Sequence, residues 1–401
     1  MRRATGWGFL GAIVLAFLPL ATGNAATVTT IYSFCDNIRC PQGQQPAGRL
    51  VRGKGNNYYG STAILTEADR GTVYHVTDTG QFRSLNKFCA LKYCTGGDTV
   101  GQFLAIGPDG DIYGVTQRGG GTGDGGTLFK LTPQGDLTTL YYFCSQPLCA
   151  DGSSPVAIVF DASGDIFGTT IAGGGYREGT LFEITAAGKF KVVHSFCASP
   201  TCADGNTPGA LIIGKDGNLY GTTDTGGAAG AGTVFSSTPT GTFKVLHSFC
   251  VRAGCVDGEQ PNAMLVQGFN TDLYGTTATG GANNMGTVFD VSLKGFEHTL
   301  YAFCSKTGCA DGSHVQDGLT LASDGSFYGA ASSGGANKRG MIFNITTSGT
   351  YTDVYDFCAL ANCTDGATPV SAPIEGYDGI LYGTTNTGGA NQTGSVYSLT
   401  P

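Results

Sequence analysis

Fourteen cysteines stand in seven pairs, each of the form Cys-x4-Cys: Cys35/Cys40, Cys89/Cys94, Cys144/Cys149, Cys197/Cys202, Cys250/Cys255, Cys304/Cys309 and Cys358/Cys363. Successive first cysteines are 54, 55, 53, 53, 54 and 54 residues apart. Two chemistries use such pairs. A structural metal site needs four ligands, commonly from C-x2-C pairs or with His support. Here each pair stands alone, and the five histidines do not follow the pairs. A local disulfide in every repeat is the better reading, and it implies an oxidising compartment. A loop this short gives about 2 kcal/mol per bridge on the chain-entropy account, so each bridge pins a turn and does not tie distant parts together.

Other candidates for chemistry cluster around these pairs. An Asp-Gly step follows five of the second cysteines, with Asp151, Asp204, Asp257, Asp311 and Asp365. The first two repeats have Gln42-Gly43 and Gly96-Gly97-Asp98 instead. Five carboxylates on one face are weak metal candidates. Calcium loops bring several oxygen ligands together, and each repeat here supplies one, so an Asx-turn is the expected role. His194 and His247 occupy a position held elsewhere by Tyr32, Asn86, Tyr141, Tyr301 and Tyr355. A site shared by His and Tyr points to packing or a satisfied hydrogen bond. His75, His298 and His314 are isolated, and no Ser-His-Asp set or nucleophile elbow can be assembled. The glycine-rich loops lack the Lys-Ser/Thr ending and the following helix of a P-loop. No catalytic residue, no cofactor and no metal is expected.

The elements that would hold these residues repeat as regularly. Repeat four reads as four strands: Gly209–Ile213, Leu219–Thr223, Thr233–Ser237 and Thr242–Phe249. The first two are joined by a Lys-Asp-Gly-Asn turn, a strong hairpin signal. Asp109, Asp324 and Asp378 make similar turns in other repeats. No helix-length period appears after the first 25 residues. Four antiparallel strands in about 54 residues form one propeller blade. The chain starts with a lone fourth strand, Val28–Phe34, and stops after a third strand, Gly394–Leu399. The start supplies what the end lacks. An all-β, seven-bladed propeller over 27–401, latched by its N-terminal strand, is the predicted fold, rather than an open solenoid needing caps. The loops between second and third strands should share a face with the disulfide loops. Their irregular residues Glu67, Arg70, Arg118, Tyr176, Arg177, Lys338 and Arg339 form the candidate binding face.

Location and partners follow from composition. Residues 1–25 read as a cleaved signal peptide: Arg2 and Arg3, an apolar run from Gly8 to Leu20, then small residues ending near Ala25. That run is too short to span a membrane, and no other segment is long enough, so the mature chain is expected to be secreted or periplasmic. It would carry 20 basic and 30 acidic residues. With no basic stripe, nucleic acid is not an expected partner. A monomer with an unknown protein or glycan ligand is expected. Trp7, the one tryptophan, lies in the signal, which disfavours broad aromatic stacking on sugars.

The tract LYGTTDTGGAAGAGTVFSSTPTG at 219–241, returning as LYGTTNTGGANQTGSVYSLTP at 381–401, resembles the GloVer tandem repeat of exported bacterial proteins. The resemblance covers essentially the whole mature chain. It implies a repeat architecture outside the cytoplasm and no particular activity. The family often carries a C-terminal sorting anchor, which is not seen after Pro401, and the Cys-x4-Cys pair is an addition to its core motif. Because the repeats are even, with no acid, base, nucleophile or metal set breaking them, a non-catalytic binding or surface-scaffold propeller is expected. The alternative is a propeller lyase or hydrolase acting on saccharide or peptide at the central channel, by fold analogy only. Clustered Asp, His and Arg in the channel would favour the enzyme, and a smooth Thr, Ser and Gly lining the scaffold.

Overall fold

The structure, a computed structural model, describes residues 26–35, 40, 42–62, 71–89, 94–121, 123–261, 263–315 and 317–401. The expected signal peptide, together with Glu67 and Arg70, lies outside them. Seven antiparallel sheets of four strands give a seven-bladed β-propeller, with the strands of the first six blades in sequence order. Blade four consists of Asn206–Ile213, Leu219–Thr225, Thr233–Ser237 and Phe243–Ser248. Its first two strands are longer than the turn signals suggest, because Asn206 still pairs with Thr225 beyond the hairpin core. In blades two and seven the first strand is interrupted, as Asp98–Val100 with Ala105–Ile106 and Ala367–Pro369 with Ile374–Glu375.

The ring closes as the lone first strand requires. Thr27–Ser33 pairs antiparallel with Ser395–Thr400, from Thr27 opposite Thr400 to Ser33 opposite Ser395, and becomes the fourth strand of blade seven. Closure leaves the last sheet without a bare edge.

Two repeated sequence features explain why blades form and stack. In the Tyr-Gly-Thr-Thr strand, a Cβ on the glycine would meet the aromatic ring of the third strand: Gly275 would sit 2.6 Å from the Phe289 ring. The glycine makes the space that the GTVF phenylalanine fills. The phenylalanine before each first cysteine (Phe34, Phe88, Phe143, Phe196, Phe249, Phe303 and Phe357) is 0–2 % exposed. Its side chain belongs to the apolar clusters lying between adjacent blades: Phe143 of blade two packs with Ile158, Phe182 and Ile184 of blade three. Full burial of such a side chain contributes about 1.5–3 kcal/mol, so the repeat is stabilised by its neighbours more than by its own sheet. Among the described residues, helical geometry is confined to three-residue 3₁₀ turns such as Pro147–Cys149 and Ala361–Cys363, which end at second cysteines. No helix among them is long and apolar enough to cross a membrane.

Candidate functional site: disulfide face and central channel

All seven predicted cysteine pairs are disulfides: Cys35–Cys40, Cys89–Cys94, Cys144–Cys149, Cys197–Cys202, Cys250–Cys255, Cys304–Cys309 and Cys358–Cys363, with Cα atoms 4.0–4.4 Å apart. Both cysteines of each pair have positive φ, so the bridge closes a tight turn between the fourth strand and the next blade. In blades two to seven the second cysteine's carbonyl accepts a hydrogen bond from the second glycine of that blade's Gly-Gly loop, as in Gly227 N–H to Cys202 at 2.9 Å and Gly281 to Cys255 at 2.8 Å. The disulfide loops and the loops between second and third strands therefore share one face, as their connectivity predicts.

The loop at Cys40 departs from the others, as its sequence indicates. The sequence puts Leu65-Thr66 where the other blades have Gly-Gly, and these two residues, like 36–39 and 41 around Cys40, lie outside the described residues. The Cys40 carbonyl accepts from Gly43 N–H at 3.0 Å, as that of Cys94 does from Gly97 at 2.9 Å. After Cys40, Gln42 stands in place of the capping aspartate, and its buried Oε1 has no hydrogen-bond partner. The Cys35–Cys40 bridge thus closes its turn without the carboxylate that organises five of the other loops.

Four of those five Asp-Gly carboxylates accept amide N–H groups of their own loops, whereas Asp257 meets His247 and its buried Oδ1 has no hydrogen-bond partner. Asp311 accepts from the Tyr301 hydroxyl at 2.7 Å and from the amide N–H groups of Ser305 (2.8 Å) and Lys306 (3.1 Å). Asp151 is bound by Tyr141, Ser145 and Gln146, and Asp365 by Tyr355, Ala359 and Leu360, in the same way. Burial alone would raise the Asp311 carboxyl, but the hydrogen bonds from Ser305, Tyr301 and the two amides hold it below its ordinary value. His194 and His247 replace the tyrosine, meeting Asp204 at 3.0 Å and Asp257 at 3.3 Å. His194 also stacks on Phe243 at 3.9 Å. Burial outweighs the carboxylate and lowers both histidines. Where the aspartate is missing, in blade two, the buried Asn86 amide nitrogen has no partner. Among the described residues, the groups close enough to hold an ion each combine a disulfide pair with one carboxylate, Asp98 or Glu259, and a disulfide sulfur offers no thiolate.

Of the irregular loop residues, Arg118, Tyr176, Arg177, Lys338 and Arg339 are exposed. They belong to blades two, three and six. Their backbones join adjacent blades: the Arg339 carbonyl accepts from Thr368 N–H at 2.7 Å, and the carbonyl of neighbouring Glu178 from Thr207 at 3.2 Å.

The repeat is broken elsewhere, on the axis. First strands from all seven blades line a central cavity of about 680 Å³. Its wall is largely apolar, with Val51, Phe103, Phe160, Ile213, Met264 and Leu321 among the contributors. Strand register fixes the equivalent positions. Val51 faces Tyr59 as Val266 faces Tyr274, so Arg49 corresponds to Met264. By the same count the position holds Phe103, Ala157, Ala210, Gly318 and Ala372 in the other blades. Only blade one puts a charge there. The Arg49 side chain reaches across to blade six, where Nη2 donates to the Thr320 hydroxyl at 2.5 Å and Nη1 to the Leu319 carbonyl at 3.3 Å. Thr320 in turn donates to the Pro373 carbonyl of blade seven at 2.5 Å.

Toward the disulfide face a second cavity, of about 310 Å³, is bounded by Gln102, His314, Asp317, Ser332 and Asn386 among others. Asp317 is buried, and its Oδ2 has no hydrogen-bond partner. Burial pushes its carboxyl up to about 7, and the positive charge of Arg49 offsets only part of that. Burial lowers Arg49 in turn, against the pull of Asp317. Arg49 and Asp317 thus stand at the boundary between an apolar funnel and a polar vestibule. The expected absence of a charged set breaking the pattern fails at this point. The signal was in the sequence: aligning first strands on Tyr-Gly exposes one arginine among apolar and small residues.

The family described as the Gloeobacter/Verrucomicrobia repeat matches residues 145–315 and 306–401. No curated protein matches the chain. Among solved structures, streptogramin B lyase superposes with a TM-score of 0.61 at 14 % identity, over 94 % of this chain and 97 % of that one. The extracellular domain of BT4673 from B. thetaiotaomicron does so with 0.59 at 9 %, over 92 % of this chain and 39 % of that one. Puromycin hydrolase gives 0.52 at 12 %, over 85 % and 50 %. At these identities the likeness is one of fold.

Proposed function

The chain belongs to the Gloeobacter/Verrucomicrobia repeat family, and we propose that it is an exported binding propeller that takes a small ligand into its central channel. Seven disulfides and the bacterial repeat family point to a protein outside the cytoplasm. The observation that carries the binding reading is Arg49, a charge in a register position that is apolar or small in six other blades, on the lining of the central cavity. A concave, mostly apolar site with few oriented polar groups is the usual form of a small-molecule site. The aliphatic wall suits such a ligand better than the protein or glycan expected from sequence. The Asp-Gly carboxylates serve as loop caps in this reading, and the exposed basic residues of the disulfide face are secondary.

Thermal-shift screening of the purified protein against a broad small-molecule set, with and without calcium, tests this. Ligands that stabilise the native protein and lose their effect in Arg49→Met support the channel. Stabilisation by calcium alone, or ligands insensitive to every channel substitution, would move the site to the disulfide face.

One observation favours a second reading, a lyase or hydrolase. A carboxyl titrating near neutrality can give and take a proton, and Asp317 lies on the same vestibule as His314 and Ser332. Turnover of a channel ligand abolished in Asp317→Asn, with binding retained, is the result that would select it.

A further inference from the structure

Arg49 is expensive to hold where it is. Among the described residues no carboxylate lies within ion-pair distance of its guanidinium, and Asp317 is the one acid whose charge it feels. Two of its five N–H donors have partners on blade six. A cation drawn part-way out of water with no anion beside it is destabilised by the hydration it gives up. The fold does not need it, because blade five builds the same register position with Met264 and blade two with Phe103.

Its surroundings say what would repair the imbalance. From Arg49 toward the turns joining first and second strands, the funnel is walled by side chains such as Val51, Phe103, Ile213 and Leu321. At that mouth the Arg52 guanidinium lies over the Tyr377 ring at 4.0 Å, and the one acid on the lining, Glu375, is engaged by the Ser323 amide and hydroxyl. An apolar tube with a cation at its floor and another at its rim is complementary to a ligand with one anionic head and an apolar body. Volume sets the scale, since about 680 Å³ lies in the range of sites for small molecules.

We infer that the channel ligand is a small amphipathic acid, whose carboxylate meets the free edge of the Arg49 guanidinium and whose apolar body fills the funnel. This rests on the channel being the binding site. Bidentate carboxylate recognition by arginine supplies both affinity and orientation.

The test compares decanoate with decanol by calorimetric titration at pH 6, on wild type, Arg49→Met and Arg49→Lys. Arg49→Met reproduces the residue that blade five carries, and an unchanged circular-dichroism spectrum and melting temperature within a few degrees verify its fold. The expected result is that wild type binds decanoate at least about tenfold more tightly than decanol. Arg49→Met should lose that preference while still binding decanol, and Arg49→Lys should keep part of it. Equal affinity for the two probes in wild type, or a preference that survives in Arg49→Met, overturns the inference. Failure of both probes, in a protein for which screening finds another ligand sensitive to channel substitutions, also overturns it and leaves the channel reading standing. Absence of any channel-sensitive ligand removes both.

Discussion

At the scale of single residues, Asp317 makes the sharpest prediction. Its ordinary pKa is 3.8 and burial raises it to about 7 in the folded protein. The folded state therefore holds this proton more tightly than the unfolded chain. The corresponding stabilisation is complete below about pH 4 and is lost as pH rises to about 7. Relative to Asp317→Asn, wild type should lose on the order of a few kcal/mol across that window, read as the difference between the two denaturant midpoints at each pH. A difference that stays flat from pH 4 to 8 would show that the carboxyl is better solvated than its surroundings imply. Binding of a carboxylate at Arg49 should weaken as pH rises through about 7, because Asp317 then ionises and competes for the guanidinium. Arg52 and Glu375 at one mouth and His314 at the other are the remaining titratable or charged groups lining the two cavities. Asp311 behaves in the opposite sense, because its loop hydrogen bonds hold the carboxyl below its ordinary value. Asp311→Ala leaves two amide N–H groups and the Tyr301 hydroxyl without their acceptor. It should cost on the order of 1–3 kcal/mol in chemical denaturation, with calcium making no difference.

At the scale of elements, the blade is a set of mutual allowances between strands. The Tyr-Gly strand leaves room for the aromatic ring of its neighbour, so Gly275→Ala should force Phe289 aside. A loss of roughly 1–3 kcal/mol in denaturant unfolding is expected. The disulfide turn is another such unit. Replacing Cys304 and Cys309 together by serine should cost about 2 kcal/mol, a local effect, because the turn is also held by Asp311 and by the Gly335 N–H bond to the Cys309 carbonyl at 3.0 Å. If thiol titration of the denatured, unreduced protein detects free cysteines, the pairing is incomplete. These allowances were legible in the sequence because they recur at fixed spacing. Strand ends were less so: Asn206 still pairs with Thr225, beyond the span that turn residues suggest.

At the scale of the molecule, stability and function both depend on closure. Thr27–Ser33 is the fourth strand of the last blade, and Phe34 beside it is wholly buried against Tyr74 of blade one and Val396 of blade seven. Deleting residues 27–34 should expose the Ser395–Thr400 edge and open the cluster between blades seven and one. The expected outcome is loss of a single cooperative unfolding transition and a shift to oligomers in size-exclusion chromatography. A monomer that still melts in one step would mean that the other interblade clusters suffice to hold the ring.

What the sequence determined by itself is the count of blades and the pairing of cysteines, which follow from local spacing repeated seven times, and the closure of the ring, which follows from a lone fourth strand before the first repeat and three strands in the last. Even the hydrogen-bonded partner of each loop carboxylate lies only ten residues before it, as Tyr301 does from Asp311. Tertiary structure alone decided where chemistry could occur. Arg49 and Thr320 are 271 residues apart and meet because seven first strands converge on one axis. An unremarkable arginine in one repeat and a lone aspartate in another become a half-buried cation and a buried, poorly compensated acid only when the ring brings them to the same channel.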